Sequence, residues 1–151
     1  VVLDLGAGTG FFSMLACRLG AKKVISVEPN ALIDLAKEFA RQNDCGGKIE
    51  FIQKLSTEIE LEEKADIIVC DLHGNFPFFE SSIATIIDAR KRLLKPGGVM
   101  IPRRETVFFA AAKCEDIYEN NISRYLRDFS GIKMDAARRL LTNRMMNTIG
   151  K

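Results

Sequence analysis

A glycine-rich loop near the start of the chain limits its possible folds more than any other feature. Gly6, Gly8 and Gly10 follow the short apolar run 1–5 and precede residues 11–19, whose apolar side chains have helical spacing. Glycine lets the backbone turn sharply and approach a ligand closely because it has no Cβ. A strand, a glycine loop and a helix in this order are typical of α/β sheets that bind ligands at the carboxyl ends of their strands.

The same alternation of strands and helices continues through the first hundred residues. Short apolar runs predict strands at 24–27, 49–52, 65–70 and 99–101, and helical spacing predicts helices at 32–41 and 80–94. On the helix at 32–41, the predicted apolar face carries Leu32, Leu35, Ala36 and Phe39. Strands that alternate with helices imply right-handed crossovers. We therefore predict an α/β fold with a Rossmann-like, doubly wound, mostly parallel sheet.

The pattern changes after Pro102, and we place a domain boundary between residues 104 and 105. Beyond it we predict a strand at 106–112, a weak helix at 116–129 and a short basic helix at 135–141. Residues 1–104 then form the ligand-binding domain, and residues 105–151 form an additional part. Because the chain opens inside a predicted buried strand, whose backbone groups need partners, we expect it to be a piece of a longer protein.

The glycine spacing distinguishes between two kinds of cofactor. The dinucleotide fingerprint is G-x-G-x-x-G, but here the third glycine comes one residue early and Phe11 occupies the dinucleotide position. A bulky side chain there disfavours close packing of a pyrophosphate. The spacing favours a cofactor without phosphate, whose amino-acid tail lies along the loop.

An acidic residue accompanies the loop. Glu28 ends the second predicted strand, at the usual distance for a carboxylate that binds both ribose hydroxyls. Asp4 lies just before the loop, where its charge is placed to steer a cofactor ammonium group or ordered water. The predicted cofactor site therefore contains Asp4, Gly6, Ala7, Gly8, Gly10, Glu28 and Pro29. The alternative is a glycine turn in some other α/β protein, with Glu28 as a surface acid.

Composition excludes several other classes of function. The formal net charge of +2 gives no electrostatic reason to expect nucleic acid or an anionic membrane as a partner. No apolar run approaches the roughly 20 residues that a membrane helix needs. The four cysteines lack metal-ligand or redox spacing, so we predict reduced, mostly buried thiols, no metal site and a cytoplasmic location.

Several motifs resemble those of the class I S-adenosylmethionine methyltransferases and, within them, the protein arginine methyltransferases. Residues 2–14 are similar to that family's first motif, 66–71 to the strand entering its substrate loop, and 94–102 to the strand after that loop. The resemblance implies S-adenosyl-L-methionine as the cofactor and methyl transfer to a protein nitrogen. It fades after residue 112, which implies that residues 105–151 begin a barrel-like substrate domain.

The resemblance also assigns candidate catalytic residues. In that family two glutamates bracket a loop and clamp the substrate guanidinium, and the matching positions are Asp71 and Glu80. A planar cation with five donors suits two carboxylates. Asp71 is one methylene shorter than the family's glutamate, and Glu80 alternatively favours the start of a helix through the helix dipole. His73, the only histidine, is a candidate general base or else a solvent-facing loop residue.

The family places an adenine contact after the third strand, and its glutamate falls at Thr57 or Glu58. Three functions therefore stay open: a methyltransferase acting on a protein nitrogen, arginine being the resembling target; one acting on a small molecule or another macromolecule; and an inactive, cofactor-binding regulatory subunit. The expected partner is a protein or small-molecule methyl acceptor. The resemblance also implies homodimerisation of the full-length protein. An NAD-dependent oxidoreductase is disfavoured by the glycine spacing.

Overall fold

The computed structural model describes residues 1–72, 82–126 and 130–142. The chain divides into two compact units, Val1–Val107 and Phe108–Lys151. The candidate catalytic residues His73 and Glu80 lie outside the described residues.

The first unit is built on a parallel sheet in the order β3-β2-β1-β4-β5. Its described strands are β1 Val2–Leu5, β2 Val24–Val27, β3 Ile49–Ile52, β4 Ala65–Cys70 and β5 Leu94–Ile101. The chain leaves the β3 edge and returns beside β1, so the strand order reverses between β1 and β4. Open α/β sheets bind ligands at such a reversal. The predicted Rossmann-like α/β fold is confirmed.

Among the described residues, three helices and one short turn connect these strands. They are α1 Phe11–Arg18, α2 Leu32–Gln42, α3 Ser82–Arg92 and the 3-10 turn Ser56–Glu58. Soon after α1 comes Gly20, where φ is 91° and the Gly20 N–H donates to the Cys17 carbonyl. A positive φ at this point suits glycine. Helices α1 and α2 therefore have nearly the bounds that the spacing predicted.

The buried face of α2 differs from the prediction. Ile33, Ala36 and Ala40 are fully buried, whereas Leu32 and Leu35 are 49% and 41% exposed. The prediction was right for Ala36 and wrong for the two leucines. Alanine has no bulk beyond Cβ, so this face lets α2 approach the glycine loop closely. Packing against the loop therefore decides the face, rather than side-chain hydrophobicity.

Strand β5 begins earlier than predicted. The predicted helix at 80–94 ends at Arg92, and Leu94 already pairs with Ala65 of β4. The pairing then shifts register, so that Ile67 pairs with Val99. Gly98 permits this shift, because a Cβ there would lie 2.7 Å from Leu94 Cδ1. Residues 95–98, between the predicted helix at 80–94 and the predicted strand at 99–101, are therefore an irregular part of β5.

The second unit contains α4 Glu115–Asn121, a 3-10 turn Ser123–Leu126 and α5 Ala136–Thr142. The predicted strand at 106–112 is wrong, because these residues are irregular. Phe108 and Phe109 are 88% and 81% exposed, so the described chain offers this segment no adjacent strand to pair with. The helix predicted at 116–129 is shorter and gives way to the 3-10 turn. No helix among the described residues is long and apolar enough to cross a membrane.

Candidate functional site

The glycine loop after β1 adopts a backbone shape that requires glycine. Gly6, Gly8 and Gly10 have φ of 71°, 53° and 77°, in the left-handed region that side chains disfavour. An added Cβ at Gly10 would lie 2.9 Å from Ala36 Cβ on α2, and one at Gly6 would overlap the Leu72 side chain. The loop is therefore packed between α2 and the residue that follows Asp71.

The end of β2 fixes the loop in place. The backbone N–H groups of Gly6 and Ala7 both donate to the Val27 carbonyl, at 2.9 and 3.0 Å. The Gly8 N–H donates to Glu28 Oε2 at 2.9 Å. The acid and the loop that the sequence paired therefore lie in direct contact.

Glu28 makes more contacts than the sequence predicted. The side chain is 6% exposed, and its Oε1 accepts hydrogen bonds from Asn30 N and Nδ2 at 2.9 and 2.7 Å. These bonds offset the cost of burying a charge. A carboxylate has about four acceptor positions, and three are used here, so Oε2 retains one for a ligand hydroxyl. Asn30 was missed because nothing in its local sequence distinguishes it from an ordinary turn residue.

Asp4 is buried, and its side chain links β1 to α1. It is 2% exposed, and the Ser13 hydroxyl donates to its Oδ2 at 2.6 Å. Burial raises the pKa of Asp4, and the hydrogen bond from Ser13 opposes part of that rise. The predicted role of Asp4 toward a cofactor ammonium stays a prediction, and Ser13 is a supporting residue that the sequence did not reveal.

A cavity of about 180 Å³ opens beside the loop. It is lined by Leu5, Gly6, Val27, Pro29, Leu55, Ser56, Leu72, Ser82 and Thr85. Gly6 and Pro29 were predicted as cofactor residues, whereas Thr57 and Glu58 are exposed and do not line the cavity. Apolar walls with a few hydroxyl groups suit a flat heterocycle, since such sites combine apolar contact with a few polar groups.

The candidate catalytic residues are only partly described. Asp71 is exposed and follows the carboxyl end of β4, next to Leu72, which lies against the glycine loop. This places one acidic residue at the carboxyl end of the sheet, on the same side as the cavity. The clamp formed by Asp71 with Glu80, and any role of His73, stay predictions.

Cysteine reactivity gives a direct test of whether the carboxyl end of β4 is buried. Burial, together with the nearby carboxylates Glu105 and Asp71, raises the pKa of Cys70 to about 11. Cys114 is exposed. Because the thiolate is the reactive form, we expect iodoacetamide at pH 8 to label Cys114 in the native protein while Cys70 stays unlabelled until urea is added. Peptide mass spectrometry reads out both sites, and equal labelling of the two thiols would contradict the burial of the β4 end.

Comparisons with known proteins agree with this geometry. A family model described as "Methyltransferase domain" matches residues 2–98. Probable protein arginine N-methyltransferase 6.1 of Oryza sativa subsp. indica is 33% identical over 136 residues, which is 90% of this chain and 36% of the relative. Protein arginine N-methyltransferase 6 of Danio rerio is 40% identical over 110 residues, or 73% of this chain and 32% of the relative. The chain thus spans about a third of the length of these curated relatives.

Solved structures show the same similarity. A Trypanosoma brucei PRMT1 enzyme-prozyme heterotetrameric complex with AdoHcy superimposes with a TM-score of 0.77 and 31% identity, covering 92% of this chain and 44% of that one. A SAM-dependent methyltransferase from Thiobacillus denitrificans, in complex with S-adenosyl-L-homocysteine, gives 0.54 and 25% over 66% of this chain and 40% of that one. Residues 2–98, which the family model matches, include the glycine loop, Glu28 and strands β1 to β4.

Proposed function

The chain belongs to the methyltransferase domain family, and on that premise we propose that it transfers a methyl group from S-adenosyl-L-methionine to a nitrogen of a protein acceptor, with arginine as the target. One observation carries the proposal. A glycine loop with three positive φ angles is held by a buried carboxylate beside a small apolar cavity, at the strand reversal of a parallel sheet. The relatives named above are described as arginine methyltransferases.

The described residues fit this cofactor part by part. The free acceptor position of Glu28 Oε2 suits a ribose hydroxyl, and a buried carboxylate would repel the phosphate of a different nucleotide. The cavity lined by Leu55, Ser56 and Pro29 suits the adenine ring. At Gly8 no heavy atom lies within 4 Å of the position that a Cβ would occupy, and this space leaves room for the amino-acid tail.

The proposed chemistry depends on positioning. When bound, the sulfonium cofactor supplies the methyl group. Asp71 and Glu80 would orient the planar guanidinium through charge-assisted hydrogen bonds, so that one nitrogen faces the methyl carbon. Holding two reactants in line supplies a large part of such a rate enhancement. His73 is the candidate for accepting the proton that the nitrogen loses.

Two finer points belong to the same proposal. We place the protein in the cytoplasm and expect the full-length protein to form a homodimer. An inactive regulatory subunit is the second candidate, because the side chain of Asp71 is one methylene shorter than the family's glutamate. A small-molecule acceptor is a further alternative. Methyl transfer from labelled S-adenosylmethionine to arginine peptides, compared with matched lysine peptides, identifies the first candidate. Transfer to a metabolite pool but to neither peptide indicates a small-molecule acceptor, and no transfer to any of these acceptors indicates the inactive subunit.

Replacing Glu80 with glutamine is expected to abolish methyl transfer while leaving the affinity for S-adenosylhomocysteine nearly unchanged. The variant removes one charge from the proposed clamp, and losses of about a hundredfold or more are typical for groups that act mainly in the transition state. Turnover of the peptide and calorimetry of the product complex are measured on the same preparation. Glu60→Gln, at an exposed position outside the site, is the control. Wild-type turnover in Glu80→Gln would remove Glu80 from the catalytic site.

A further inference from the structure

We propose that Arg92, at the end of α3, is a positioning residue that holds the adenosine part of the cofactor site in shape. The inference rests on the proposed function, since it concerns the wall of the cavity assigned to adenine. Arg92 does not line that cavity. It acts through the backbone of the Ser56–Glu58 turn, and none of the motifs discussed above includes it.

The guanidinium of Arg92 makes four hydrogen bonds. Its Nε and Nη2 donate to Asp88 Oδ1 and Oδ2 at 2.8 and 2.6 Å. Its Nη1 donates to the Ile59 carbonyl at 2.9 Å, and Nη2 donates also to the Ser56 carbonyl at 2.9 Å. One side chain therefore joins the two carbonyls that flank Thr57 and Glu58, and Asp88 fixes the orientation of the guanidinium.

The two carbonyls belong to residues that matter for the cavity. Ser56 is 6% exposed and lines the cavity together with Leu55, while Ile59 is 5% exposed and belongs to the main apolar core. The part of the cavity wall formed by Ser56 is thus attached to α3 through Arg92, next to the core residue Ile59. Helix α3 contributes to the site at both ends. Ser82 and Thr85 in its first turns line the same cavity, and Arg92 at its last residue bonds to the Ser56 carbonyl.

This arrangement differs from the ordinary ion pairs of the first unit. The pairs Lys37–Asp34 and Arg41–Glu38 lie on the exposed face of α2, and such pairs contribute little to stability. Arg92 instead reaches backbone groups 33 and 36 residues away in the sequence. The hydrogen bonds from Arg92 also lower the pKa of Asp88, so the pair stays charged throughout the pH range of an assay.

Only arginine can perform this role at position 92. Its planar fork presents several donors in fixed directions, whereas lysine has a single nitrogen. Without the guanidinium, the Ser56 and Ile59 carbonyls would bond to water. The turn would keep its internal hydrogen bond from Glu58 N to the Leu55 carbonyl, at 3.0 Å, but would lose its bonds to α3. A ligand would then have to order the turn as it binds, and that ordering weakens affinity.

The test compares Arg92→Lys and Arg92→Ala with Arg41→Ala, which removes an arginine whose guanidinium bonds to Glu38 within the same helix. Calorimetry measures S-adenosylhomocysteine and adenosine in parallel, and the unfolding midpoint is recorded for each variant. We expect Arg92→Ala to weaken both ligands about tenfold. Arg92→Lys keeps the pair with Asp88, so it should unfold near the wild-type midpoint and still bind both ligands several-fold more weakly. Arg41→Ala should bind as the wild type does.

A purely structural role would lower the unfolding midpoint and leave both affinities unchanged, and this result would overturn the inference. A loss confined to S-adenosylhomocysteine would overturn it too, because it would place the effect at the amino-acid tail. Amide exchange gives a ligand-free readout, in which the Glu58 amide should exchange faster in Arg92→Lys; unchanged exchange contradicts the inference. If Arg92→Ala does not fold, Arg92→Lys decides alone. A wild-type protein that binds neither ligand refutes the proposed function instead, before any variant is made.

Discussion

Replacing Glu28 with glutamine is expected to weaken the binding of S-adenosylhomocysteine by about a hundredfold. Both carboxylate oxygens of Glu28 accept hydrogen bonds, one from Gly8 N and the other from Asn30. Glutamine offers one oxygen and one NH₂ group, so either orientation turns a donor toward a backbone N–H group. The side-chain bond to either Gly8 N or Asn30 N is then lost, although Gly6 and Ala7 still donate to the Val27 carbonyl, and the proposed ribose contact loses its charge.

The control for this prediction is Glu50→Gln on β3, where an exposed glutamate pairs with Lys23, which precedes β2 at the opposite end from the glycine loop. Calorimetry on both variants and on the wild type gives the affinities, and thermal unfolding shows whether the fold persists. We expect Glu50→Gln to keep wild-type affinity. A Glu28→Gln variant that binds within about threefold of wild type would show that Glu28 is a structural acid only, since that difference is below 1 kcal/mol.

Replacing Gly10 with alanine is expected to lower the free energy of unfolding by about 2–4 kcal/mol. Two effects add at this position. The φ of 77° is unfavourable for any residue with a Cβ, and the new methyl group would lie 2.9 Å from Ala36 Cβ. Ala36 is fully buried on α2, so the helix must move to relieve the contact.

Gly8→Ala is the matched control for that substitution. Gly8 has a φ of 53°, and no heavy atom lies within 4 Å of the position that its Cβ would occupy. The control therefore measures the effect of the positive φ alone, and we expect it to lower the free energy of unfolding by about 1 kcal/mol. Urea unfolding of both variants measures the difference. Equal losses would mean that the loop does not pack against α2 as described.

The sequence predicted the fold where local pattern and long-range packing agree. Glycines at 6, 8 and 10 indicate a loop, and the three β-branched residues in Val24–Val27 indicate a strand, whatever surrounds them. The strand predicted at 106–112 failed because β structure needs a partner, and residue preference alone does not supply one. Leu32 and Leu35 on α2 were misassigned because the helix face is chosen by close approach to Gly10.

Those parts of the candidate site that have a local sequence pattern could also be predicted. Glu28 could be paired with the loop because ribose-binding carboxylates follow the second strand at a characteristic distance. Ser13, Asn30 and Arg92 carry no such signal, because their partners depend on three-dimensional packing. The bonds from Arg92 to the Ser56–Ile59 segment join residues more than thirty positions apart, and no periodicity reveals them. A folded structure was needed to find the groups that support the site.

The central claim is that the glycine loop, Glu28 and the adjoining cavity form a site for an adenosyl sulfonium cofactor. Calorimetric titration of the protein with S-adenosylmethionine and, separately, with NAD tests this claim most directly. We predict saturable binding of S-adenosylmethionine with a dissociation constant in about the micromolar range, and no binding of NAD. Preferential binding of NAD, or heat from neither ligand, would contradict the account.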